Sequence, residues 1–520
     1  MGMVVNTNVS SLIAQSAANG TSKSLETAME RLSTGKRINS AADDAAGSAI
    51  ATRMTSQIKG LNQAIRNAGD AQSLIDTTEG AHDEITNILQ RMRELSVQAA
   101  SDTNVSADRS NLQLEIDQLS AEINRISSQT TWNGMSVLDG TFTNKSFQIG
   151  ADASQDVKVS VESVATGNLG NNTFESIGGL KIGAAVADPF TADSYTITGG
   201  KGSATVSALA ADSAKEFAAK INAQTASTGV SATAVTKVLL KETIATTAQT
   251  AAFTSAAQTF TMNLNGVAID SSSILDTDMS DLVDKINAKS SQHGVTAELG
   301  ATSGEVILTD ADGDTIDIDT IDSSVDTFAI SVQVLNSSGT AALADAADFD
   351  ADDSGEFGHV AVLHDTDHTT SDQDSVSIGG STSFTSTAAF TVEGGATTSA
   401  TVMSHIQAAS RSSTLSNISA TNISTAAGAQ TAIKAIDGAL EMVSERRANL
   451  GAISNRMDNT VANLTSIKTN LEGSRSRIED ADFAAETAQL TKSQILQQAA
   501  TSMLAQANAS KQSVLSLLQG

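Results

Sequence analysis

The sequence predicts an α+β protein in which the N- and C-terminal helices form a discontinuous coiled-coil rod. A β-rich outer insertion made of repeated small modules would separate the two helical ends. Apolar residues recur at helical spacing at both ends of the 520-residue chain, and the middle alternates short apolar runs with turn residues. Each terminal stripe needs a partner that covers it, so the economical arrangement packs the two ends together.

The composition favours long helix seams and thin sheets over one bulky core. Aromatic residues make up 3% of the chain, which has one Trp, one Tyr and one Pro. Aromatic side chains dominate the burial energy of most cores, so Leu, Ile, Val, Met and Ala must build this one. The chain has no Cys, which excludes disulfides, thiolate metal sites and thiol catalysis.

The net charge of −28 is concentrated in the middle of the chain. Residues 151–414 carry 10 Lys/Arg and 34 Asp/Glu, whereas residues 415–520 carry 9 of each. Phosphate contacts need clustered Lys and Arg, so we expect no nucleic-acid partner. No apolar run approaches the ~18 residues that a membrane span requires. The N-terminus shows no conventional signal peptide, so a secreted chain would use a signal-independent route.

The N-terminal end predicts helices that are separated by polar breaks. A short first helix precedes a long second one over about 42–99, where an apolar stripe continues without Pro. Ser40 with Asp43 resembles a capping arrangement at the start of the second helix. A third helix covers about 112–126, and Asn133-Gly134 predicts a hairpin turn.

The C-terminal end mirrors this pattern. Apolar residues at spacings of three and four from Ile433 to Leu471 predict one long helix. A final amphipathic helix is predicted from about Phe483 to Leu518. The chain therefore begins and ends with helices of complementary design.

The middle contains an internal repeat with an offset of 65 residues. Residues 220–223 read Lys-Ile-Asn-Ala, and the same four letters recur at 285–288. Each copy predicts two strands, a short helix and a further strand, over 195–232 and 260–308. Duplicated β modules fit adhesive or spacing roles better than a single active site.

A histidine-rich stretch of the middle has residues that zinc can bind. His359, His364 and His368 lie around Asp365, and imidazole and carboxylate are zinc ligands. The zinc-peptidase pattern requires a Glu beside the first His of a pair, but position 365 is Asp. We therefore interpret this stretch as a solvated loop.

Four acidic residues suggest a calcium loop: Asp310, Asp312, Asp314 and Asp317. The Gly and the bidentate Glu that an EF-hand needs are replaced by Thr315 and Ile321, so the pattern predicts an acidic β-turn. The sequence contains no phosphate loop, nucleophile elbow or Rossmann motif, so we expect no cofactor and no enzymatic activity. Three isolated histidines are expected at the surface or an interface: His82, His293 and His405.

Several motifs at the two ends are more specific than the helical pattern. They are Met3–Asn8, Arg31–Gly47, Leu89–Gln98, Trp132–Gly134, Leu496–Ala499, Ala505–Asn508 and Val514–Leu518. These residues closely resemble the ends of bacterial flagellins, and the resemblance covers roughly 1–175 and 416–520. The middle departs from any one pattern, as the outer domains of that family do. Its repeat resembles small modules that are inserted in some flagellins.

The resemblance implies a domain organisation and a function. Segments 1–44 and 480–520 would form an inner coiled-coil tube, and segments 45–175 and 416–479 a helical rod with a β-hairpin. Residues 176–415 would form surface-exposed β-rich outer domains. Subunits would leave the cell unfolded through the type III export apparatus and polymerise into the extracellular flagellar filament for motility. The terminal segments should be disordered in the free chain and fold on assembly.

The resemblance also implies partners and site residues. The chain would bind itself in a helical homopolymer, and it would also bind the export chaperone, the cap and the hook-junction proteins. Polymerisation would use apolar residues of the terminal helices: Leu12, Leu25, Leu32, Leu504, Leu515 and Leu518. An innate-immune Toll-like receptor recognises part of the rod in many flagellins, at positions that match Arg91, Leu95, Gln98 and Glu115 here.

Three alternatives remain from the sequence alone. A hook–filament junction protein shares the design of the ends, but the full motifs at both ends disfavour it. A flagellin with a specialised adhesive or enzymatic outer insert is the second, and the absence of His-Glu-x-x-His disfavours a peptidase. An unrelated secreted adhesin with a coiled-coil stalk is the third, and the complementary terminal stripes disfavour it.

Overall fold

The structure is a computed structural model of the chain. It describes residues 7–176, 178–182, 192–209, 212–242, 258–274, 278–300, 302, 304–323, 329–337, 339, 357–358, 360–364, 375–394 and 411–518.

Long helices lie at the two ends of the chain, and the middle consists mostly of strands, as the sequence predicts. The helices are α1 (Val9–Thr34), α2 (Ala45–Ala100), α3 (Ser106–Gln129), α4 (Ala214–Asn222), α5 (Thr225–Thr228), α6 (Ser280–Ala288), α7 (Ser290–His293), α8 (Ala426–Glu479) and α9 (Phe483–Leu518). A short 3₁₀ turn covers Ile418–Ala420. The predicted bounds of the final helix are confirmed.

The strands occur in order along the chain between the terminal helices. Up to the end of the first repeat copy they are β1 (Thr131–Trp132), β2 (Met135–Ser136), β3 (Lys145–Gln148), β4 (Asp156–Val159), β5 (Gly170–Glu175), β6 (Leu180–Ile182), β7 (Asp193–Gly199), β8 (Gly202–Ala208) and β9 (Ser231–Glu242). Next come β10 (Gln258–Leu264), β11 (Val267–Ile274), β12 (Thr296–Leu299), β13 (Glu305–Asp310), β14 (Ile316–Ser323), β15 (Ala329–Leu335), β16 (Phe357–Gly358) and β17 (Val360–His364). The last are β18 (Val376–Ile378), β19 (Ser381–Ser386), β20 (Thr391–Glu393), β21 (Arg411–Ser412) and β22 (Thr414–Asn417).

The cap of α2 lies further along the chain than the predicted arrangement of Ser40 with Asp43. Because α2 begins at Ala45, its N-cap is Asp44, whose carboxylate accepts the Gly47 backbone N–H at 2.9 Å. Asp43 accepts the backbone N–H of Ser40 at 2.8 Å and holds the preceding turn. The predicted pair therefore forms, but it precedes the helix instead of capping it.

The chain forms two compact units, and each unit is assembled from separate stretches of sequence. The first comprises the described parts of Met1–Glu79, Phe142–Val161 and Ala448–Gly520. The second comprises the described parts of Gly80–Thr141 and Glu162–Arg447.

In the first unit, chain segments from opposite ends of the sequence pack on each other. Helix α1 lies along α9. Leu61 and Ala64 of α2 form a small core with Leu464 of α8, which accounts for the apolar stripes that the sequence shows. The β3–β4 hairpin packs against α2, since the Asn67 side chain donates to the Gln148 carbonyl at 2.8 Å.

The second unit contains the predicted hairpin turn and most of the sheets. Asn133 and Gly134 have φ values of 49° and 77°, so both occupy the left-handed region that a tight turn between β1 and β2 requires. A six-stranded sheet has the order β11-β10-β14-β18-β6-β16, and a four-stranded sheet the order β21-β20-β7-β8. An eight-stranded sheet runs β12-β13-β9-β19-β5-β22, with β15 also paired to β9 and β17 paired to β15.

The predicted repeat is confirmed in its secondary structure and in its hydrogen bonds. The first copy is β7, β8, α4 and β9, and the second is β10, β11, α6 and β12. Asn222 at the end of α4 donates to the carbonyl of Ala232 and accepts its N–H, both at 2.8 Å. Asn287 at the end of α6 makes the same two bonds to Ala297, also at 2.8 Å. In each copy the Asn therefore fixes the helix to the strand that follows.

The two copies differ in how their cores are filled. The core of the first copy is aromatic, with Tyr195 and Phe217 ring centroids 5.2 Å apart and Phe384 of β19 beside them. The core of the second copy is aliphatic and includes Leu282 and Ile286 of α6. The first copy thus depends on a strand that the chain supplies far downstream.

Candidate functional site

The paired terminal helices leave large apolar side chains in contact with solvent. Of the predicted polymerisation residues, Leu12 is 56% exposed, and Leu25, Leu32 and Leu504 are half-buried. Leu515 and Leu518 lie in α9, but their side chains fall outside the description. Several exposed apolar side chains on the same helices were not among the predicted residues: Val9, Ile13, Met29, Ile495, Leu496 and Met503. Their apolar character was visible, but which helix face would lack a partner was not.

Small residues form the buried contact between α1 and α9. Ala28 is the buried residue of α1, and Ser493 of α9 is 1% exposed. Asn8 donates to the Ala507 carbonyl at 3.3 Å, so the two helices also meet near the start of α1. Small side chains bring the helix backbones close together but bury little apolar area. Apolar surface of α1 and α9 therefore stays exposed and is available to further partners.

A short antiparallel link fixes the register of the two ends. The Arg37 N–H donates to the Glu479 carbonyl at 2.6 Å, and the Ala481 N–H donates to the Gly35 carbonyl at 3.0 Å. The Lys36 ammonium lies 2.5 Å from the Glu479 carboxylate. On the C-terminal side these contacts lie at the boundary that the resemblance places between residues 479 and 480, and on the N-terminal side they lie within segment 1–44.

The four positions that the resemblance assigns to receptor recognition divide into exposed and buried ones. Arg91 donates to Glu115 at 2.9 Å and to Glu94 at 3.0 Å, and these hydrogen bonds raise the pKa of Arg91. Gln98 is exposed. Leu95 is 1% exposed, so it lies in the core of its unit rather than on the surface.

Two of the isolated histidines are buried, which corrects the expectation that they lie at the surface or an interface. His82 on α2 is fully buried, and His293 is 5% exposed. The Val295 N–H donates to Nδ1 of His293 at 3.1 Å, so Nε2 carries the proton and donates to the Ile286 carbonyl at 3.1 Å. In the first copy, Thr228 has the equivalent position and accepts the Val230 N–H at 3.2 Å. The repeat alignment contained this signal, because a Thr at the matching position indicates a local hydrogen-bonding role.

The acidic cluster after β13 forms a turn, as predicted. The Asp310 carboxylate accepts the N–H groups of Asp312 at 2.9 Å and Gly313 at 3.1 Å. Burial raises the pKa of Asp310. The Lys215 ammonium lies 3.2 Å from the Asp312 carboxylate and 2.8 Å from that of Asp314, so these side chains stabilise the turn.

The histidine-rich stretch cannot be assigned a geometry. His359, His368 and Asp365 lie outside the described residues, as does the isolated His405, and of His364 only the backbone is described. Within the described ranges, no three His, Cys, Asp or Glu side chains are placed to hold a metal ion. Of the helices described, none combines the length and apolar character that crossing a membrane requires.

The fold and the exposed terminal helices define a class of protein. Its members are structural subunits whose two ends pair with each other and expose apolar surface for further copies. The chain belongs to the bacterial flagellin family. The descriptions that match are the bacterial flagellin N-terminal helical region at residues 5–143, the C-terminal helical region at 433–518, and the flagellin hook IN motif at 196–248 and 259–312. The hook IN motif coincides with both copies of the repeat.

Relatives match over the whole chain. B-type flagellin from Pseudomonas aeruginosa is 38% identical over 523 residues, covering 100% of both proteins. Flagellin from Salmonella rubislaw is 35% identical over 539 residues, again covering 100% of both. Among solved structures, FliC from Burkholderia pseudomallei is 20% identical and has a TM-score of 0.28, covering 74% of this chain and 99% of that one. A TM-score this low says nothing about how the parts are arranged.

The second repeat copy should lose stability in mild acid because of His293. Burial lowers its pKa from the ordinary 6.5, and Lys289 adds to the shift. The unfolded chain therefore takes up a proton as the pH falls through 6.5, while the folded copy resists protonation until a lower pH. Stability is complete above this window and is lost as the pH falls towards the folded pKa, because protonation of Nδ1 breaks the Val295 hydrogen bond.

Hydrogen exchange of residues 278–299 between about pH 7.5 and 5 measures this effect. The equivalent residues 213–234 of the first copy, where Thr228 cannot titrate, provide an internal control for intrinsic exchange rates. His293→Thr should remove the difference between the copies. Equal pH dependence of both copies in the wild-type chain would show that His293 does not control stability.

Proposed function

We propose that this chain polymerises into the bacterial flagellar filament as its structural subunit and serves motility. The observation that carries the proposal is the exposed apolar surface of the α1–α9 pair, in a chain that matches flagellins from end to end. One chain cannot cover this surface, so neighbouring copies must do so. A contact between two different patches of identical subunits produces an open helical polymer when the rotation from one subunit to the next does not close a ring.

Each sequence segment is proposed to form one part of the filament subunit. Segments 1–44 and 480–520 form the inner tube, segments 45–175 and 416–479 form the rod, and residues 176–415 form the outer domains. The link between Arg37 and Glu479 supports the boundary between residues 479 and 480, because it joins the last residue of a rod segment to a residue of the N-terminal inner segment. The net charge of −24 over residues 151–414 suits an outer region that stays solvated.

The partners of the proposed subunit follow from its assembly route. The chain leaves the cell through the type III export apparatus and is extracellular in the filament. An export chaperone holds α9 before export, because α9 exposes apolar residues such as Ile495 and Met503 that would otherwise aggregate. The cap and hook-junction proteins contact the ends of the filament. The proposal assigns a structural role to the terminal helices and to the hydrogen-bonded repeat, and it requires no enzymatic activity.

Two alternatives compete with this proposal. A hook–filament junction protein shares paired terminal helices, but relatives that match the full length are flagellins. Long filaments grown from the purified chain alone would exclude a junction protein, which forms only a short segment. An adhesive or enzymatic activity of the outer insertion is compatible with a filament role and would require an assay on intact filaments.

Replacing Leu12 by Asp should block assembly, because the contact would bury a charge without a partner. Leu299→Asp is the matched control, since Leu12 and Leu299 are both 56% exposed and Leu299 lies in the β-rich middle. We expect the critical concentration for filament growth to rise at least about tenfold for Leu12→Asp, equivalent to about 1.4 kcal/mol. Leu299→Asp should assemble normally. Equal assembly of both variants, measured by sedimentation and electron microscopy, would refute the proposed contact.

A Toll-like receptor is proposed to recognise the exposed part of the matching positions, namely Arg91, Gln98 and Glu115, while Leu95 supports them from the core. Arg91→Asp should lower receptor signalling at least about tenfold, as loss of a hot-spot arginine does. Arg125→Asp is the control, because Arg125 also pairs with a glutamate and the two arginine side chains are 54% and 51% exposed. Unchanged signalling by Arg91→Asp in a folded chain would reject this site.

A further inference from the structure

Strand β8 forms an edge of its sheet and carries no charged side chain. It pairs with β7 over seven consecutive residue pairs, from Asp193 with Ala208 to Gly199 with Gly202, without a bulge. It has no second strand neighbour among the described residues. Edge strands of soluble proteins usually carry charges or bulges that block pairing with other chains. An uncharged, regular edge therefore offers its backbone N–H and C=O groups to another strand.

The other edges in the described part of the chain are protected or short. Among them, β12 carries Glu298, β11 carries Asp270 and β21 carries Arg411. Strand β22 has no charge, but it has only four residues. Strand β17 is also an edge without Asp, Glu, Lys or Arg, but it has only five residues. Strand β8, with seven residues, is therefore the longest uncharged edge in the described part of the chain.

The side chains of β8 suit the addition of a strand. Ser203, Thr205 and Ser207 are exposed on one face, while Val206 and Ala208 are buried on the other. An added strand would leave the core unchanged and would place hydroxyl groups opposite each other, a pairing that stabilises sheets. At the end of the strand, the side chain of Leu209 is 59% exposed.

We infer that β8 pairs in antiparallel orientation with β8 of a second copy of this chain, an inference that rests on the proposed filament. Because β8 spans residues 202–208, Thr205 is its centre, and pairing Thr205 with Thr205 of the second copy uses the whole strand. Ser203 then lies opposite Ser207 of the second copy. Leu209 lies opposite Lys201 of the second copy, whose aliphatic stem can cover it.

Charge permits a second copy at this place. Residues 151–414 carry a net charge of −24, so two such regions repel each other over most of their surfaces. The hairpin of residues 193–209 contains one Asp and one Lys and is neutral. Two copies can therefore approach along β8 at a lower electrostatic cost than along the acidic surfaces around it.

The symmetry of this contact determines which copies it joins. Antiparallel self-pairing is two-fold, whereas neighbours within a helical polymer are related head-to-tail. The contact therefore joins subunits of two different filaments that lie side by side. Each single contact is weak, but repetition along both filaments makes the association strong.

The absence of Cys from the chain allows a direct test with single-cysteine variants. In the inferred pair, Thr205→Cys places two cysteines directly opposite each other, with Cβ atoms about 5 Å apart, which mild oxidation can bridge. Thr198→Cys is the control: Thr198 is exposed in the same sheet, but β7 has strands on both sides. Two cysteines at position 198 would be separated by three strand spacings of about 4.8 Å and by four residues along the strands, so they would lie about 20 Å apart and could not be bridged.

Filaments of both variants are oxidised at about 1 M salt, where charge repulsion is screened within about 3 Å, and disulfide-linked dimers are measured by non-reducing electrophoresis. We expect at least about tenfold more dimer for Thr205→Cys than for Thr198→Cys, in samples where filaments lie side by side. Thr205→Lys should abolish this lateral association, since an edge lysine blocks strand addition. Electron microscopy of the same samples shows separately whether filaments form.

Two results would overturn the inference. Equal dimer yields for the two cysteine variants would show that β8 does not pair with itself. Dimers of Thr205→Cys in well-separated filaments would place the contact within one filament. A chain that forms no filaments would refute the proposed function instead, and oxidation of that unassembled chain would still test the β8 pairing.

Discussion

The pairing of the two chain ends is the constraint on which the rest of the structure depends. Helices α1 and α9 come from opposite ends of the sequence, and their buried contact consists of small residues such as Ala28 and Ser493. Small residues let the helices approach closely but leave Leu12 and its apolar neighbours exposed. The contacts between the two ends therefore fix their register but do not form a complete apolar core. Assembly with other copies stabilises the pair.

Because the two ends pair with each other, the structure of the middle does not determine how the ends pack. Its modules fold around their own cores, one aromatic around Phe217 and one aliphatic around Leu282. Asn222 and Asn287 keep the same backbone hydrogen bonds in both copies, although the core residues have diverged. Acidic residues keep this region solvated. The edge of β8 carries no charged side chain, and we infer that the contact between filaments forms there.

Much of this fold was predictable, because periodicity and turn chemistry are local properties. The final helix, the Asn133-Gly134 turn and the repeat were predicted from spacing alone. The cap at Asp44, the burial of His82 and His293, and the burial of Leu95 were not, because each depends on which face of an element meets a neighbour. For the assembly surface, the sequence identified the correct helices but could not show that Ile495 and Met503 are among their exposed residues.

Hydrogen exchange of α1 and α9, compared between the unassembled chain and the filament, tests the central claim most directly. The account predicts that both helices exchange rapidly in the unassembled chain and become at least about 100-fold slower in the filament, as surfaces covered by neighbours should. Exchange of the β-rich middle should not change. Equal protection of α1 and α9 in both states would contradict the account, because the helix pair would then be stable without any neighbour.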